Sequence, residues 1–197
     1  MARGNPYIVP LYDHKITPLP HGGYEIVLLL EYCSEGSVVD LMNRKKSFNE
    51  PEIIRIFSAI CQAVAWLHRN GIIHRDLKVE NVLHNGQQFK LCDFGSATKQ
   101  VIPKGATLSI EQIRLLTEDI NKYTTFAYRA PEICDLYHTK GITSKIDIWA
   151  LGIFLYKLCF FTTPFEESGK LAILSGKYTI PSTPVYSKNL LILIRKF

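Results

Sequence analysis

Asp76, Lys78 and Asn81 fall in one short segment, and Asp93 follows Asp76 by 17 residues. Carboxylate and amide oxygens are hard donors that suit magnesium, so Asn81 and Asp93 read as a pair of metal ligands. Asp76 has the right chemistry to accept or orient the proton of an attacking hydroxyl, and Lys78 offers a cation to a transferring phosphate. Such a transfer asks little covalent work of a protein, because positioning and charge neutralisation supply most of the catalysis. A plainer reading of the same residues, a polar turn capping a helix, competes with this one.

The wider pattern weighs against the plain turn. His74, Arg75, Asp76, Leu77, Lys78, Val79, Glu80 and Asn81 fit H-R-D-L-x-x-x-N at every fixed letter. Asp93, Phe94 and Gly95 come next, then Ala130, Pro131 and Glu132, so three signatures stand in the required order. On these motifs the chain resembles protein kinases over essentially its whole length. Lys78, together with Thr125 in the segment before Ala130, is similar to the serine/threonine kinases.

The resemblance implies ATP and Mg2+ as cosubstrate and metal, with Asp76, Lys78 and Asn81 as the catalytic set. It implies Leu30 as gatekeeper, Glu31, Tyr32 and Cys33 as the hinge whose backbone holds adenine, and Leu83 as the pocket floor. Thr125 would bond to the catalytic loop and shape the substrate pocket, and Asp147 would anchor that loop from beneath. His74, Phe94 and Leu11 resemble members of an aligning apolar column. Glu132 would pair with an arginine further along, for which Arg195 comes too early.

Finer features, including the segment 91–98, the pair Thr124–Thr125 and the run 149–166, resemble the Numb-associated kinases, especially the fungal actin-regulating kinases. That likeness implies endocytic adaptor or actin-patch proteins as substrates, and a cytoplasmic location at cortical sites.

The elements that must position these residues can also be read. Tyr7 to Asp13 and Tyr24 to Tyr32 read as two strands around a Pro/Gly turn, and Leu28, Leu29 and Leu30 as buried strand residues. Asn49, Glu50, Pro51 and Glu52 open a helix that runs at helical spacing to Asn70 and Gly71. Short strand-like pieces follow at Val82 to Leu83 and Phe89 to Leu91, then a long loop with one helical patch around Ile110 to Ile120. From Pro131 onward the pattern is helical. The fold class is therefore α+β and kinase-like: a partial small lobe and hinge over residues 1–35, with two strands, above a mostly helical large lobe over 36–197.

Composition bounds the alternatives. The 197 residues are 47% hydrophobic and 21% charged, as in an ordinary globular domain. The net charge of +5 is scattered without a basic block, which argues against a nucleic-acid partner. Five separated cysteines without a CxxC pair suggest reduced thiols in a cytosolic setting. Ile148 to Phe161 is interrupted by Lys157 and is shorter than the roughly 20 residues of a spanning helix, so it reads as a core helix.

Three parts of the kinase machinery have no counterpart here: a Gly-rich phosphate loop, a strand lysine and its partner glutamate. The expectation is a chain cut at both ends and inactive as it stands, with a truncated pseudokinase acting as a binding module as the alternative. Arg75 is placed to pair with a phosphorylated residue such as Thr107, Ser109, Thr117 or Thr124.

Overall fold

The longest helix shows how the sequence builds the large lobe. The Asn49 side chain accepts from the Glu52 amide at 3.0 Å while the Glu52 carboxylate accepts from the Asn49 amide at 3.0 Å, a reciprocal cap that starts a helix over Glu50–Arg69. Its apolar stripe, including Ile53, Ile56, Ile60, Val64 and Leu67, is buried. Each such side chain contributes about 1.5–3 kcal/mol on leaving water. The stripe faces a second helix, Lys145–Phe160, that is apolar on nearly all sides and forms the centre of the lobe. That helix ends at Phe161, whose left-handed backbone lets its amide bond to Lys157 O at 2.9 Å. Gly152 within it leaves room for Phe197, against which a Cβ would collide.

In this computed structural model residues 4–139, 141–165 and 169–197 are described. In chain order the elements are β1 (Leu11–Pro18), β2 (Tyr24–Leu30), α1 (Val38–Arg44), α2 (Glu50–Arg69), β3 (Val82–His84), β4 (Phe89–Leu91), α3 (Ile110–Tyr123), α4 (Pro131–Cys134), α5 (Lys145–Phe160), α6 (Gly169–Ser175) and α7 (Lys188–Ile194). Strands β1 and β2 form one antiparallel hairpin, β3 and β4 another. This is the α+β arrangement that the sequence implied, a helical lobe with a small two-stranded portion of another. No described helix is long and apolar enough to cross a membrane.

Two expectations are corrected. The first strand runs over Leu11–Pro18 and not Tyr7 to Asp13, with Ile16 opposite Ile26 and Pro18 opposite Tyr24. Tyr7 to Val9 instead lie beside β4, where the Val9 amide donates to Leu91 O at 2.9 Å and the Leu91 amide to Tyr7 O at 2.8 Å. Burial of Ile8 and Val9 in the large lobe explains the shift, since their apolar side chains belong to its core. Leu28, Leu29 and Leu30 are exposed, since β1 and β2 pack chiefly on each other.

Candidate active site

The segment from His74 to Asn81 alternates between anchors and presented groups. Leu77, Val79 and Val82 are buried in the large-lobe core, which fixes the backbone between them. Beneath it stands Asp147 of α5, fully buried. Its carboxylate accepts from the His74 amide at 2.8 Å and the Arg75 amide at 2.9 Å, and meets His68 Nε2 of α2 at 2.8 Å. Arg75 takes a left-handed backbone with φ of 70°, and the loop turns there. His74 Nδ1 accepts from the Asp76 amide at 3.3 Å while Nε2 faces Cys92 O at 3.2 Å, an arrangement that suits a neutral ring with its proton on Nε2. Burial pushes the His74 pKa down, against the opposing pull of Asp147, Cys92 O, Asp76 and Asp93.

Asp76 sits at the centre of a polar cluster. Its Oδ1 accepts from the Thr125 hydroxyl at 2.6 Å, and its Oδ2 pairs with Lys78 Nζ at 2.6 Å. Lys78 Nζ also donates to Thr125 Oγ1 at 3.0 Å, which closes a triangle. Burial pushes the Asp76 carboxyl up, but Lys78, Thr125 and Asn81 outweigh it and hold its pKa below the ordinary carboxylate value. The result is an ionised acceptor, 8% exposed, with a cation beside it.

Asn81 spends its amide nitrogen on Asp76, donating to the backbone oxygen at 2.9 Å and to Oδ2 at 3.2 Å. Among the described residues its side-chain carbonyl takes no hydrogen bond. Asn81 O accepts from the Cys92 amide at 2.9 Å, so Asp93, the next residue, is tied to the same loop. Asp93 is exposed, with φ of 59°, and its carboxylate accepts from the Gly95 amide at 3.2 Å. Two hard oxygen donors on adjoining segments fit magnesium, which takes one or two carboxylates and completes its shell with water and phosphate. Among the described residues no group of three or more His, Cys, Asp or Glu could hold a metal ion by itself.

The remaining expected positions surround this cluster. Glu31 follows β2 and is held by Lys90 at 2.5 Å and Asn85 at 2.8 Å; burial pushes its carboxyl up, but these two partners leave its pKa lowered. Among the described residues no hydrogen bond uses the Glu31 carbonyl or the Cys33 amide, so both are open to a ligand edge. Leu83 is half-buried in β3, and Leu30 lies exposed at the end of β2. Phe94 meets His74 edge to face at 5.2 Å between centroids. Glu132 lies in the first turn of α4 and has no ion pair among the described residues. Arg75 pairs with the carboxylate of Asp119. His68, Asn85, Lys90 and Asp119 went unnoticed in the sequence, since nothing local marks them.

The protein kinase domain family matches residues 2–195. Actin-regulating kinase 1 of Saccharomyces cerevisiae is 44% identical, over 99% of this chain and 31% of that protein. Actin-regulating kinase PRK1 of the same yeast is 41% identical, over 99% of this chain and 24% of that protein. Serine/threonine-protein kinase ppk30 of Schizosaccharomyces pombe is 44% identical, over 95% of this chain and 20% of that protein. The chain thus spans less than a third of the length of each.

Proposed function

Because this chain belongs to the protein kinase domain family and is by family a protein serine/threonine kinase, we propose that the Asp76 cluster transfers the γ-phosphoryl group of ATP to a serine or threonine hydroxyl. The observation that carries this reading is the triangle of Asp76, Lys78 and Thr125 beside Asn81. The acceptor hydroxyl would face Asp76, which takes or orients its proton as the oxygen attacks phosphorus. Lys78 Nζ would neutralise γ-phosphate oxygens, and the bond to the β-phosphate oxygen breaks to release ADP. Asp93 and Asn81 would hold magnesium, which neutralises phosphate charge when bound. The Glu31 carbonyl and Cys33 amide would take the adenine edge, with Leu30 as gatekeeper and Leu83 as the floor of the pocket. Thr125 would line the acceptor pocket, His74 and Phe94 would align the loop, Glu132 would brace the segment beyond, and Asp147 would hold the loop from below.

The names of two relatives, both actin-regulating kinases, support actin-related proteins as substrates; membership of the Numb-associated group, endocytic adaptor proteins as further substrates and a cortical cytoplasmic site are proposed on the resemblance of segments 91–98 and 149–166 alone. The phosphate-covering loop and strand lysine are not among these 197 residues, so a polypeptide limited to them is proposed to be inactive. The exposed apolar face of the β1–β2 hairpin favours a second reading, a binding module without catalysis. The test is transfer from magnesium-ATP by the full-length protein to a threonine peptide and to its tyrosine counterpart. A tyrosine hydroxyl lies several ångströms further from its Cα, and misplacement of that order costs about 100-fold or more. Threonine transfer exceeding tyrosine transfer by that factor is expected. Equal rates would overturn the serine/threonine assignment, and no transfer to either would favour the binding module.

A further inference from the structure

Glu31 lies where two differently held stretches of chain meet. Its amide donates to Pro10 O at 3.2 Å. From residue 35 onward the chain is bonded to β3, with the Glu35 amide donating to His84 O at 3.1 Å and the His84 amide to Gly36 O at 2.9 Å. Residues 32–34, between these anchors, make no backbone hydrogen bond to β3 or β4 among the described residues. The two groups open to adenine, the Glu31 carbonyl and the Cys33 amide, stand on this loosely bonded stretch. What holds its near end to the large lobe is the Glu31 side chain.

That side chain is gripped from two places. Lys90 Nζ meets one carboxylate oxygen at 2.5 Å, and Asn85 Nδ2 donates to the other at 2.8 Å. The Glu31 and Lys90 side chains are only 17% and 12% exposed. Both partners are themselves fixed. Lys90 stands on β4 between Phe89 and Leu91, which are buried, and opposite Leu83 of β3. Asn85 Oδ1 accepts from the Gln87 and Gln88 amides at 3.1 and 2.9 Å, which turns its amide nitrogen toward Glu31. From Lys90 the chain runs through Leu91 and Cys92 to Asp93, and the Cys92 amide donates to Asn81 O at 2.9 Å. One run of four residues thus carries the cation that holds Glu31 and a carboxylate proposed to face the metal.

Building on the kinase reading of the site, we infer that Lys90, with Asn85 beside it, is a positioning residue for the nucleotide: it holds Glu31 so that the groups meeting adenine keep their place relative to Asn81 and Asp93. Neither Lys90 nor Asn85 touches the nucleotide. The contact is charge-assisted and mostly withdrawn from water, so salt screens it little. Adenine is held alike before and during transfer, and loosening its site therefore raises KM while leaving kcat in place.

The test is calorimetric titration of the full-length protein with magnesium and a non-hydrolysable ATP analogue, beside steady-state transfer to a threonine peptide with Asp76→Asn as the background. Lys90→Met should raise Kd for the analogue and KM for ATP about five- to tenfold, with kcat and the peptide KM within about twofold. Lys90→Arg should recover most of that loss. Glu31→Ala, which removes the carboxylate and keeps the carbonyl, should weaken nucleotide binding as much as Lys90→Met does. The two together should be no worse than either alone, because each removes the same interaction. Lys46→Met, at an exposed lysine beyond the end of α1, should have no effect. Hydrogen exchange at residues 31–35 should quicken in Lys90→Met and stay unchanged at 60–67 in α2. Nucleotide affinity within about 1.5-fold of wild type in both single variants, a kcat that falls as far as the affinity, or multiplying effects of the two substitutions would each overturn the inference. Wild type that binds the analogue without Asp76-dependent transfer would count against the kinase reading, and the ratio of Kd values would then decide for Lys90. Wild type that binds no nucleotide would overturn both.

Discussion

Asp76→Asn in the full-length protein is expected to lower kcat for threonine phosphorylation by about 100- to 10,000-fold, the range associated with a positioned general base. The asparagine keeps the size of the side chain and can still accept from Thr125, so the loop should hold its shape. What it cannot do is take a proton, and its amide nitrogen would face the Lys78 ammonium in place of a carboxylate oxygen. KM for ATP should change little, since the groups open to adenine are the Glu31 carbonyl and Cys33 amide. Cys61→Ser on α2 is the control and should leave turnover unchanged: the thiol takes no part in the cluster, and burial pushes its pKa up to about 11. Similar losses in the two variants would mean that the site has been placed on the wrong residues.

The second large effect concerns stability. Asp147→Ala removes the common acceptor of the His74 and Arg75 amides and of His68, at a site with no solvent exposure. Leaving buried donors without a partner costs about 1–3 kcal/mol each, and two backbone amides lose theirs together. For a domain of this size, a loss of about 3–5 kcal/mol corresponds to a fall in Tm of about 6–20 °C. Turnover should fall with it, because the same bonds set the direction of Asp76. Thermal unfolding followed by circular dichroism measures the first effect. A Tm within about 2 °C of wild type would show that the carboxylate does not carry the loop.

These two residues also mark how far the sequence could be read. Asp76, Lys78, Asn81 and Asp93 stand out in the sequence because the roles proposed for them depend on short spacings along one loop and its successor. The caps of α2 were legible for the same reason, since Asn49 and Glu52 satisfy each other across three residues. Asp147 was placed only by resemblance, and its partner His68 not at all, being 79 residues away. The same distance in sequence hid the ion pairs of Arg75 with Asp119, 44 residues on, and of Glu31 with Lys90, 59 residues on. A charged side chain on a helix reads as a solvated face until folding brings its partner to it.

The strand errors have a related cause. Ile8 and Val9 have strand-like character, and they do pair, but with Leu91 in the large lobe and not with the hairpin. The β1 segment that actually pairs with β2 contains His14, Lys15 and Thr17, too polar for its pattern to stand out. The three leucines at 28–30 satisfy every local rule for a buried strand, yet burial is decided by what packs over them. Apolar character states a preference for cover, and the hairpin shows that the preference alone supplies none.

The most direct test of the proposed site is a crystal structure of the full-length protein with magnesium and a non-hydrolysable ATP analogue. Asn81 Oδ1 and a carboxylate oxygen of Asp93 should stand about 2.0–2.1 Å from the metal, and the adenine edge should bond to the Glu31 carbonyl and Cys33 amide at about 2.9 Å. The γ-phosphate should lie between Lys78 and the metal, with the Asp76 carboxylate facing the open position beyond it. A nucleotide seated elsewhere, or bound with Asp93 and Asn81 turned away from the metal, would contradict the account.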